Sequence, residues 1–202
     1  MKNAIVTGAS NGIGLEISKK LTENNYYVGM IDIDKENLIK ESEKIHNTIP
    51  IEGDVTNEES IKNALKTFNK TPDLIVNNAG IVIFGSLEEQ SVEDFKKSVD
   101  VSLIGSYLVS RLSIEAMIKK KSGCIINMSS INGVHPGPGT GGYPPAKAGI
   151  VSLTQQMSIE WGPDGIRTNS IAPGFIDAGM SKPIYAFDIP ASINPGAIEL
   201  VL

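Results

Sequence analysis

The sequence predicts an α/β protein whose centre is a doubly wound, parallel sheet of about six strands with helices on both faces. Short apolar runs alternate with longer stretches of helical period along most of the chain, the order typical of repeated strand–helix–strand units. The chain has 202 residues, a length that fits one domain with a sizeable core. We therefore expect residues 1–202 to form a single domain, in which 175–202 are an atypical and shortened C-terminal region.

Six short apolar runs predict the strands, because strands buried on both faces of a parallel sheet need near-continuous apolar sequence. They cover residues 4–7, 27–31, 48–52, 74–77, 124–128 and 167–171. Two regions break the regular order: the loop 131–142 is rich in glycine and proline, and the tail after Met180 has little periodicity.

Local signals mark the ends of three predicted helices. Thr56 and Glu59 form a capping box, in which a hydroxyl and a carboxylate can satisfy the free amides of a helix start. A longer helical pattern begins at Ser91 and ends at a cluster of lysines. A third follows Tyr143 and ends where Gly162, which suits a left-handed cap, precedes a proline that bars continuation.

Composition and charge exclude several classes of function. The formal net charge is −5 and no run of basic residues offers a surface for phosphates, so nucleic acid is not an expected partner. We find neither a membrane-length apolar segment nor a secretory leader, and expect a cytoplasmic protein with no membrane partner. Cys124 is the only cysteine and is interpreted as buried strand filler. His46 and His135 lack partners at ligand spacing, so no metal site is expected.

The first predicted strand leads into a glycine-rich turn over residues 8–14 and then into a helical pattern. Glycines let the backbone approach a pyrophosphate closely, and the helix start offers amide donors and the positive end of its dipole. A tight turn alone also needs glycines, but the position between strand and helix is typical of a Rossmann-like dinucleotide site. The candidate cofactor-binding residues here are Gly8, Ser10, Asn11, Gly12, Ile13 and Gly14.

Asp32, which closes the second predicted strand, indicates which dinucleotide is bound. An acidic side chain at this place accepts hydrogen bonds from the ribose hydroxyls of the adenosine. A 2'-phosphate about 4 Å away would be repelled by about 4 kcal/mol per unit charge at an effective dielectric near 20. Asn11 is also not a basic residue that could receive that phosphate. NAD is therefore the predicted cofactor, with NADP disfavoured; Asp34 is a rival acceptor, better placed to cap the next helix.

Further motifs follow in a fixed order along the chain. An Asp-Val pair follows the third strand, Asn-Asn-Ala-Gly closes the fourth, a serine follows the fifth, Tyr-x-x-x-Lys opens a helix and Pro-Gly follows the sixth. With the glycine turn, this set resembles the short-chain dehydrogenase/reductase family over most of the chain. The resemblance implies that the further cofactor-binding residues are Asp54, Val55, Asn77, Ala79, Gly80, Tyr143, Lys147, Pro173, Gly174 and Ile176.

The resemblance also implies that Ser130, Tyr143 and Lys147 are catalytic. Residues four apart on a helix share a face, so Tyr143 and Lys147 can point at one reacting centre. A free tyrosine has a pKa of about 10, and lowering it by about three units takes roughly 4 kcal/mol in favour of the phenolate. The Lys147 ammonium and the positive nicotinamide ring are the expected sources. Ser130 would hold the substrate oxygen while Tyr143 exchanges its proton, interconverting a secondary alcohol and a ketone.

Four features depart from the family pattern. Ser102 takes the place of an asparagine that helps hold a water between the lysine and solvent, and we count it as a fourth catalytic position. Pro144 and Pro145 disfavour helical geometry beside Tyr143. A helix that began only at Pro145 would alter the register of Tyr143 and Lys147. Ala178 stands where the family commonly has a threonine that contacts the nicotinamide. The family's last strand is expected to be absent, which leaves a sheet edge open.

Together these inferences predict an NAD-dependent oxidoreductase that acts on a small-molecule alcohol or carbonyl compound. The family also implies a homo-oligomer, either a dimer or a tetramer. A non-catalytic dinucleotide-binding regulatory or sensor protein, a dehydratase or epimerase, and a truncated family member remain open alternatives. Residues 81–86, the loop after Ser130 and the tail are expected to determine the substrate.

Overall fold

Seven strands form one sheet in the part of the chain that the computed structural model describes, residues 1–176 and 198–201. They are β1 (Lys2–Thr7), β2 (Tyr26–Asp32), β3 (Thr48–Glu52), β4 (Leu74–Asn77), β5 (Gly123–Met128), β6 (Ile166–Pro173) and β7 (Ile198–Val201). Their order in the sheet is β3-β2-β1-β4-β5-β6-β7, with β1 to β6 parallel. The six predicted strands are confirmed, each within two residues of its predicted ends.

Helices connect the parallel strands and cover both faces of the sheet. They are α1 (Gly12–Glu23), α2 (Lys35–Ser42), α3 (Glu58–Phe68), α4 (Val92–Val99), α5 (Gly105–Lys120) and α6 (Tyr143–Trp161). Because neighbouring residues of a strand point to opposite faces, Ile5 of β1 packs with α3 and α5 on one face, while Val6 packs with α1 and α2 on the other. The predicted fold class is therefore confirmed.

The strand order reverses at β1. The chain first winds outward from β1 to β2 and β3, and then returns to build β4, β5 and β6 on the other side. The loops that leave β1 and β4 consequently diverge, and ligands of open α/β sheets bind in the crevice that such a reversal creates. The glycine turn follows β1 directly at this place.

The start of α3 differs from the predicted capping box. Asn57, not Thr56, is its N-cap, and the Asn57 side chain accepts a hydrogen bond from the amide of Ser60. The Thr56 hydroxyl instead donates to Oδ1 of Asp54 at 2.7 Å. The Thr56 amide donates to the same carboxylate oxygen at 2.9 Å, so Thr56 is held in the turn before the helix and Asn57 provides the capping acceptor.

The end of α6 also differs in detail from the prediction. The helix does stop at Trp161, but Gly162 has a right-handed conformation with φ −58°. A single 3-10 turn, Gly162–Asp164, accommodates Pro163 and continues the chain to Gly165. The left-handed residue is Gly165, with φ +82°, and a Cβ there would lie 2.6 Å from the carbonyl oxygen of Lys121.

The stretch Val92–Lys120 is helical throughout, since a π-helical turn (Asp100–Ile104) joins α4 to α5. By length and composition alone this helix is long and apolar enough to cross a membrane, which differs from the expectation that no such segment exists. Within the fold, 44% of its most apolar window is buried, and Val109 and Met117 lie in the core against the sheet. A core helix passes the same test of length and composition.

The tail carries a strand that the sequence analysis expected to be absent. β7 pairs antiparallel with the end of β6, where Pro173 lies opposite Ile198. It therefore covers the outer side of β6 over four residue pairs. Ala178, the predicted departure from a nicotinamide contact, lies outside the described residues.

Candidate active site

Gly8 and Gly14 of the turn after β1 lie too close to neighbouring backbone to accept a side chain. Gly8 has a φ of +63°, a conformation that favours glycine, and a Cβ there would lie 2.9 Å from Cα of Ala79. A Cβ at Gly14, in the first turn of α1, would overlap the carbonyl oxygen of Gly8. The turn is therefore formed by backbone rather than side chains, as the close approach of a pyrophosphate requires.

The start of α1 has no side-chain cap. Asn11 is the N-cap residue, but its side chain makes no capping hydrogen bond and donates instead from Nδ2 to Oγ of Ser10 at 3.2 Å. Gly12 has a φ of +53°, and Ile13 packs on the core. A helix start without such a cap can offer its amide donors and its positive dipole end to an anion. These residues fit the phosphates of a dinucleotide.

Asn78 ties the glycine turn to the neighbouring strand. Its Nδ2 donates to the carbonyl oxygens of Thr7 and Gly8 at 3.0 and 3.1 Å. The Thr7 hydroxyl in turn accepts from the amides of Asn78 and Ala79, both at 3.0 Å. Asn78 was not among the predicted site residues. It belongs to the Asn-Asn-Ala-Gly motif, but the motif does not show its contacts with the glycine turn, which depend on the pairing of β4 with β1.

Asp32 lies at the carboxyl end of β2 and is held by backbone amides. Its Oδ2 accepts from the Ser10 amide at 2.9 Å, and its Oδ1 accepts from the Asp34 amide at 3.0 Å. The Asp34 side chain caps α2 by accepting from the amide of Asn37 at 3.1 Å. The Asn37 side chain donates to the Ser10 carbonyl oxygen at 2.7 Å. Asp32 thus faces the glycine turn, whereas Asp34 serves the helix start, as predicted.

Asp54 and Val55 shape the turn after β3. Oδ1 of Asp54 accepts from the amide and the hydroxyl of Thr56, and the carboxylate remains partly exposed. Val55 is buried in the core. A Cβ at Gly105 would lie 2.7 Å from Cγ2 of Val55, so the Val55 side chain packs against the start of α5.

Asn77 lies in a buried polar network rather than on an open surface. Its Nδ2 donates to Oγ of Ser110 and to Oδ1 of Asn127, both at 2.8 Å. Asn127 then donates to Oγ1 of Thr154 at 2.9 Å. This network links β4 and β5 to α5 and α6. The Asn77 side chain therefore supports the centre of the sheet, which the sequence alone did not distinguish from lining the cofactor.

The side chains of Tyr143 and Lys147 meet at the start of α6. Nζ of Lys147 lies 5.5 Å from the centroid of the Tyr143 ring and donates to the carbonyl oxygen of Met128 at 2.7 Å. Lys147 is only 3% exposed, and burial lowers its pKa from 10.5 to about 8. The amine is therefore still protonated at neutral pH.

Burial raises the pKa of Tyr143, and a hydrogen bond with the Ser130 side chain opposes that rise. Lys147 and a bound nicotinamide ring are the predicted causes of a lowered tyrosine pKa, whereas in the protein alone the loss of solvent around the phenol is the larger effect and raises that pKa. Ser130 is itself buried at the end of β5, where its Oγ accepts from the amide of Asn132 at 3.2 Å. Tyr143, Lys147 and Ser130 thus form one contiguous group.

The two prolines do not shift the start of the helix past Tyr143. α6 begins at Tyr143, with Gly142 as its N-cap and the prolines in the first turn. Their missing amides would have had no partner in a first turn. The Tyr143 amide donates to the Thr140 carbonyl oxygen at 3.0 Å. The helix therefore does not wait until Pro145 to begin, and Tyr143 and Lys147 lie four residues apart within α6.

Ser102 lies in the π-helical turn and is fully buried. A Cβ at Gly80 would lie 3.1 Å from Nζ of Lys147 and 3.3 Å from Oγ of Ser102, so both polar groups flank Gly80. Oγ of Ser102 has no hydrogen-bond partner among the described residues. A buried hydroxyl without a partner is costly, and its position beside the lysine makes it a candidate contact for a bound molecule.

The remaining predicted residues lie at the end of β6. Pro173 is the last residue of that strand and is buried, while Gly174 and Ile176 follow it and are partly exposed. β6 is the neighbour of β5 in the sheet, and the Ser129 amide donates to the Ile171 carbonyl oxygen at 2.8 Å. The segment after β6 therefore leaves the sheet on the same edge as the segment that carries Ser130.

Comparison with known proteins agrees with this arrangement. Residues 2–188 match the family model described as short chain dehydrogenase. The chain is 32% identical over 209 residues to the oxidoreductase UcpA of Salmonella typhimurium, covering 100% of this chain and 77% of that protein. It is 37% identical over 190 residues to the 3-oxoacyl-[acyl-carrier-protein] reductase FabG of Chlamydia trachomatis, covering 90% and 76%.

Solved structures give the same result. A 4-hydroxyisoleucine dehydrogenase complexed with NADH superposes with a TM-score of 0.86 at 31% identity, covering 93% of this chain and 79% of that one. A 3-oxoacyl-[acyl-carrier protein] reductase with bound NAD from Brucella melitensis superposes with a TM-score of 0.86 at 28% identity, covering 92% and 74%. The chain therefore belongs to the short-chain dehydrogenase/reductase family, a family of Rossmann-fold oxidoreductases that binds a nicotinamide dinucleotide and to which its oxidoreductase relatives belong.

Proposed function

We propose that this protein is an NAD-dependent oxidoreductase that interconverts a secondary alcohol and a ketone, with Tyr143 as the general acid and base. The observation that carries the proposal is the group at the start of α6 in which the half-buried Tyr143 lies beside the buried Lys147 and Ser130. The relatives include 3-oxoacyl reductases and the solved structures include a levodione reductase, and these names support a carbonyl or alcohol substrate.

The proton moves through Tyr143. In the oxidation direction its hydroxyl oxygen takes the proton of the substrate alcohol, and in the reduction direction it returns that proton to the carbonyl oxygen. The nicotinamide ring, when bound, accepts or donates the hydride, which is chemistry that protein side chains do not supply.

Lys147 acts on this step through its charge. Its pKa of about 8 keeps the ammonium protonated at neutral pH, and a positive charge close to a phenol favours the phenolate. The bond to the Met128 carbonyl oxygen fixes the direction of the ammonium, so little reorganisation is needed as charge develops on the tyrosine. Ser130, which already interacts with the phenol, would donate to the substrate oxygen.

NAD rather than NADP is the proposed cofactor because of Asp32. Its carboxylate is anchored by the amides of Ser10 and Asp34, and it cannot turn away from a 2'-phosphate without losing both bonds. Asn11 provides no positive charge to offset the repulsion. A ribose with two free hydroxyls would instead donate to the carboxylate.

We also propose that the protein is a cytoplasmic homo-oligomer, a dimer or a tetramer. Tyr107 on α5 and Ile159 on α6 are 43% and 72% exposed, and large exposed apolar side chains are the kind that subunit contacts cover. Sedimentation equilibrium of the purified chain tests the oligomer, and cell fractionation tests the compartment.

The test of the activity is hydride transfer to NAD across a panel of polyols, sugars, hydroxysteroids and 3-hydroxyacyl compounds. Tyr143→Phe should lower kcat by at least about a hundredfold while NADH binding, followed by nicotinamide fluorescence, stays unchanged. Equal turnover in this variant would contradict the assigned role of the tyrosine.

A second candidate is a non-catalytic dinucleotide-binding regulatory or sensor protein. The unpartnered hydroxyl of Ser102 beside Lys147 favours it, because the family resemblance implies an asparagine there to carry the proton onward. Tight NADH binding without turnover on the whole panel would support this candidate over the enzyme.

A further inference from the structure

Gln90 connects the segment after β4 with the residues that precede Tyr143. Its Nε2 donates to the carbonyl oxygen of Ile83 at 2.9 Å, and its Oε1 accepts from the amide of Gly142 at 2.7 Å. Ile83 lies in the segment 81–86, where the substrate determinants are expected. Gly142 is the N-cap residue of α6. One side chain thus bridges a substrate-flanking segment and the start of the catalytic helix.

The two partners determine the orientation of the Gln90 amide. A backbone amide can only donate and a carbonyl oxygen can only accept, so Oε1 must face Gly142 and Nε2 must face Ile83. Both polar atoms of the side chain therefore have a specific partner. A carboxylate at this position could satisfy Gly142 but not Ile83, and an apolar side chain could satisfy neither.

The surrounding backbone is shaped to this side chain. Gly141 has a φ of +48°, and a Cβ there would overlap the amide group of Gln90. A Cβ at Gly142 would lie 3.0 Å from Cδ2 of Phe95. Two consecutive glycines thus let the chain pass closely over Gln90 and Phe95 immediately before Tyr143.

A second contact joins the same two segments. The Gly85 amide donates to the Gly139 carbonyl oxygen at 3.0 Å, and Gly85 and Thr140 form an isolated parallel bridge. The Thr140 carbonyl oxygen then accepts from the Tyr143 amide. The segment 139–142 therefore has partners on the substrate-flanking side and on the catalytic side, with the Gln90 amide between them.

We propose that Gln90 is a positioning residue that sets the place of the Tyr143 phenol and couples it to the conformation of the substrate-flanking segment 81–86. The inference rests on the proposed function, since it assigns the tyrosine to proton transfer. The bond to Gly142 holds the first turn of α6, and the bond to Ile83 holds the wall of the substrate site. A small displacement of a reacting group costs a large factor in rate.

Two variants of Gln90 distinguish the effects of its two hydrogen bonds, and a third variant is the control. Gln90→Met keeps the length of the side chain and removes both bonds, whereas Gln90→Glu keeps the acceptor for Gly142 and removes the donor for Ile83. Gln155→Met removes an exposed glutamine amide from α6 and serves as the matched control. For each protein we would measure kcat, KM, the pH profile of kcat and the Kd of NADH, with the substrate that the wild type uses best.

Gln90→Met should lower kcat by about tenfold to a hundredfold and shift the apparent pKa in the profile, because the phenol moves relative to the Ser130 hydroxyl and to the surroundings that bury it. Gln90→Glu should keep kcat within about threefold of the wild type and raise KM by about tenfold, since one lost bond to a loop is worth about that factor. The NADH Kd should be unchanged in all three variants, and Gln155→Met should match the wild type.

A Gln90→Met protein with wild-type kcat, KM and pH profile would overturn the proposal. Equal losses of kcat in Gln90→Met and Gln90→Glu, accompanied by weaker NADH binding, would also overturn it by showing a general structural defect. Hydrogen exchange of peptides covering 139–146 gives a readout without turnover: exchange should be faster in Gln90→Met, and equal exchange would contradict the proposal. An inactive wild type with this exchange difference would refute the proposed function while leaving the structural part of the inference standing.

Discussion

The amino group of Lys147 donates a hydrogen bond to the carbonyl oxygen of Met128 at 2.7 Å, and so ties α6 to the carboxyl end of β5. A second hydrogen bond connects the same elements, because the Ser129 hydroxyl donates to the Lys147 carbonyl oxygen at 2.8 Å. A Cβ at Gly133 would lie 2.7 Å from the Lys147 carbonyl carbon. The segment after β5 therefore packs directly on the helix turn that carries the lysine, and Ser130 is brought to Tyr143 by this packing.

Replacement of Lys147 should change stability in a pH-dependent way. Its pKa is about 8 in the folded protein against 10.5 for an unperturbed lysine. Below pH 8 both states are protonated, and the cost of the buried ammonium is fully present. Between about pH 8 and 10.5 the unfolded state binds more protons, so the wild type gains stability as pH rises. Lys147→Met should thus have a higher free energy of unfolding than the wild type at pH 7. The increase is at most about 3 kcal/mol, from which the loss of the hydrogen bond to Met128 must be subtracted.

Urea unfolding at pH 7 and pH 10 measures this effect. The advantage of Lys147→Met should shrink at the higher pH, and turnover should be lost at both. Lys66→Met, at an exposed position of α3, is the control and should show no such pH dependence. A stability difference that is the same at pH 7 and pH 10 would contradict the buried ammonium.

Variants of the neighbouring residues Ser129 and Ser130 should affect different properties, the first stability and the second activity. Ser129→Ala removes the bond to the Lys147 carbonyl oxygen and should lower the free energy of unfolding by about 1 kcal/mol. Ser130→Ala removes the group that hydrogen-bonds Tyr143 and should lower kcat by about a hundredfold. It should also raise the pH at which alcohol oxidation reaches half its maximum, because Ser130 opposes the upward shift of the Tyr143 pKa. Identical kinetic losses in the two variants would refute this separation.

Asp32, the last residue of β2, and Asp34, two residues beyond it, should have different effects on the preference for NAD over NADP. Asp32→Ala should raise the ratio of kcat/KM with NADP to kcat/KM with NAD by at least about tenfold, because a repulsion of over 1.4 kcal/mol is removed. Asp34→Ala should leave that ratio unchanged and lower the free energy of unfolding by about 1 kcal/mol, since its side chain caps α2. A larger change of cofactor ratio in Asp34→Ala than in Asp32→Ala would reverse the assignment.

Removal of the Ser102 hydroxyl should stabilise the protein. This buried Oγ has no hydrogen-bond partner among the residues described, so Ser102→Ala should raise the free energy of unfolding by about 1 kcal/mol. Ser113→Ala is a suitable control on the same helix, because its hydroxyl donates to the Val109 carbonyl oxygen at 2.8 Å and its loss should not stabilise. Lower turnover in the more stable Ser102→Ala would show that the hydroxyl serves the reaction. A destabilised Ser102→Ala would mean that the hydroxyl has a structural partner.

Most of the fold could be predicted because its signals are local. The strands are short apolar runs in a sequence that alternates with helical stretches, and β3 (Thr48–Glu52) and β4 (Leu74–Asn77) have the predicted bounds. The prediction of the α3 cap was wrong because several polar residues precede the helix. The Thr56 hydroxyl donates to Asp54, and Asn57 caps the helix. β7 was not predicted because the tail lacks a regular apolar pattern. The strand is defined by its antiparallel pairing with β6, which the local sequence does not show.

The candidate site could be predicted only in part. The order of the motifs, through the family resemblance, made Tyr143, Lys147 and Ser130 the candidate catalytic residues, and the structure places the three together. The Asn-Asn-Ala-Gly motif that contains Asn78 does not show which atoms its amide binds, and Gln90 lies in no motif. Their partners lie 71 and 52 residues away in the chain.

Residue types, short-range spacing and the order of the motifs were enough to predict six strands, the glycine turn and a set of candidate proton-transfer residues. Three features come from the packing of the folded chain: the π-helical turn brings Ser102 to the Gly80 side of Lys147, burial raises the pKa of Tyr143, and Gln90 holds Gly142. Each of these depends on which distant segments pack together and how much water they exclude, and neither is encoded within a single stretch of the chain.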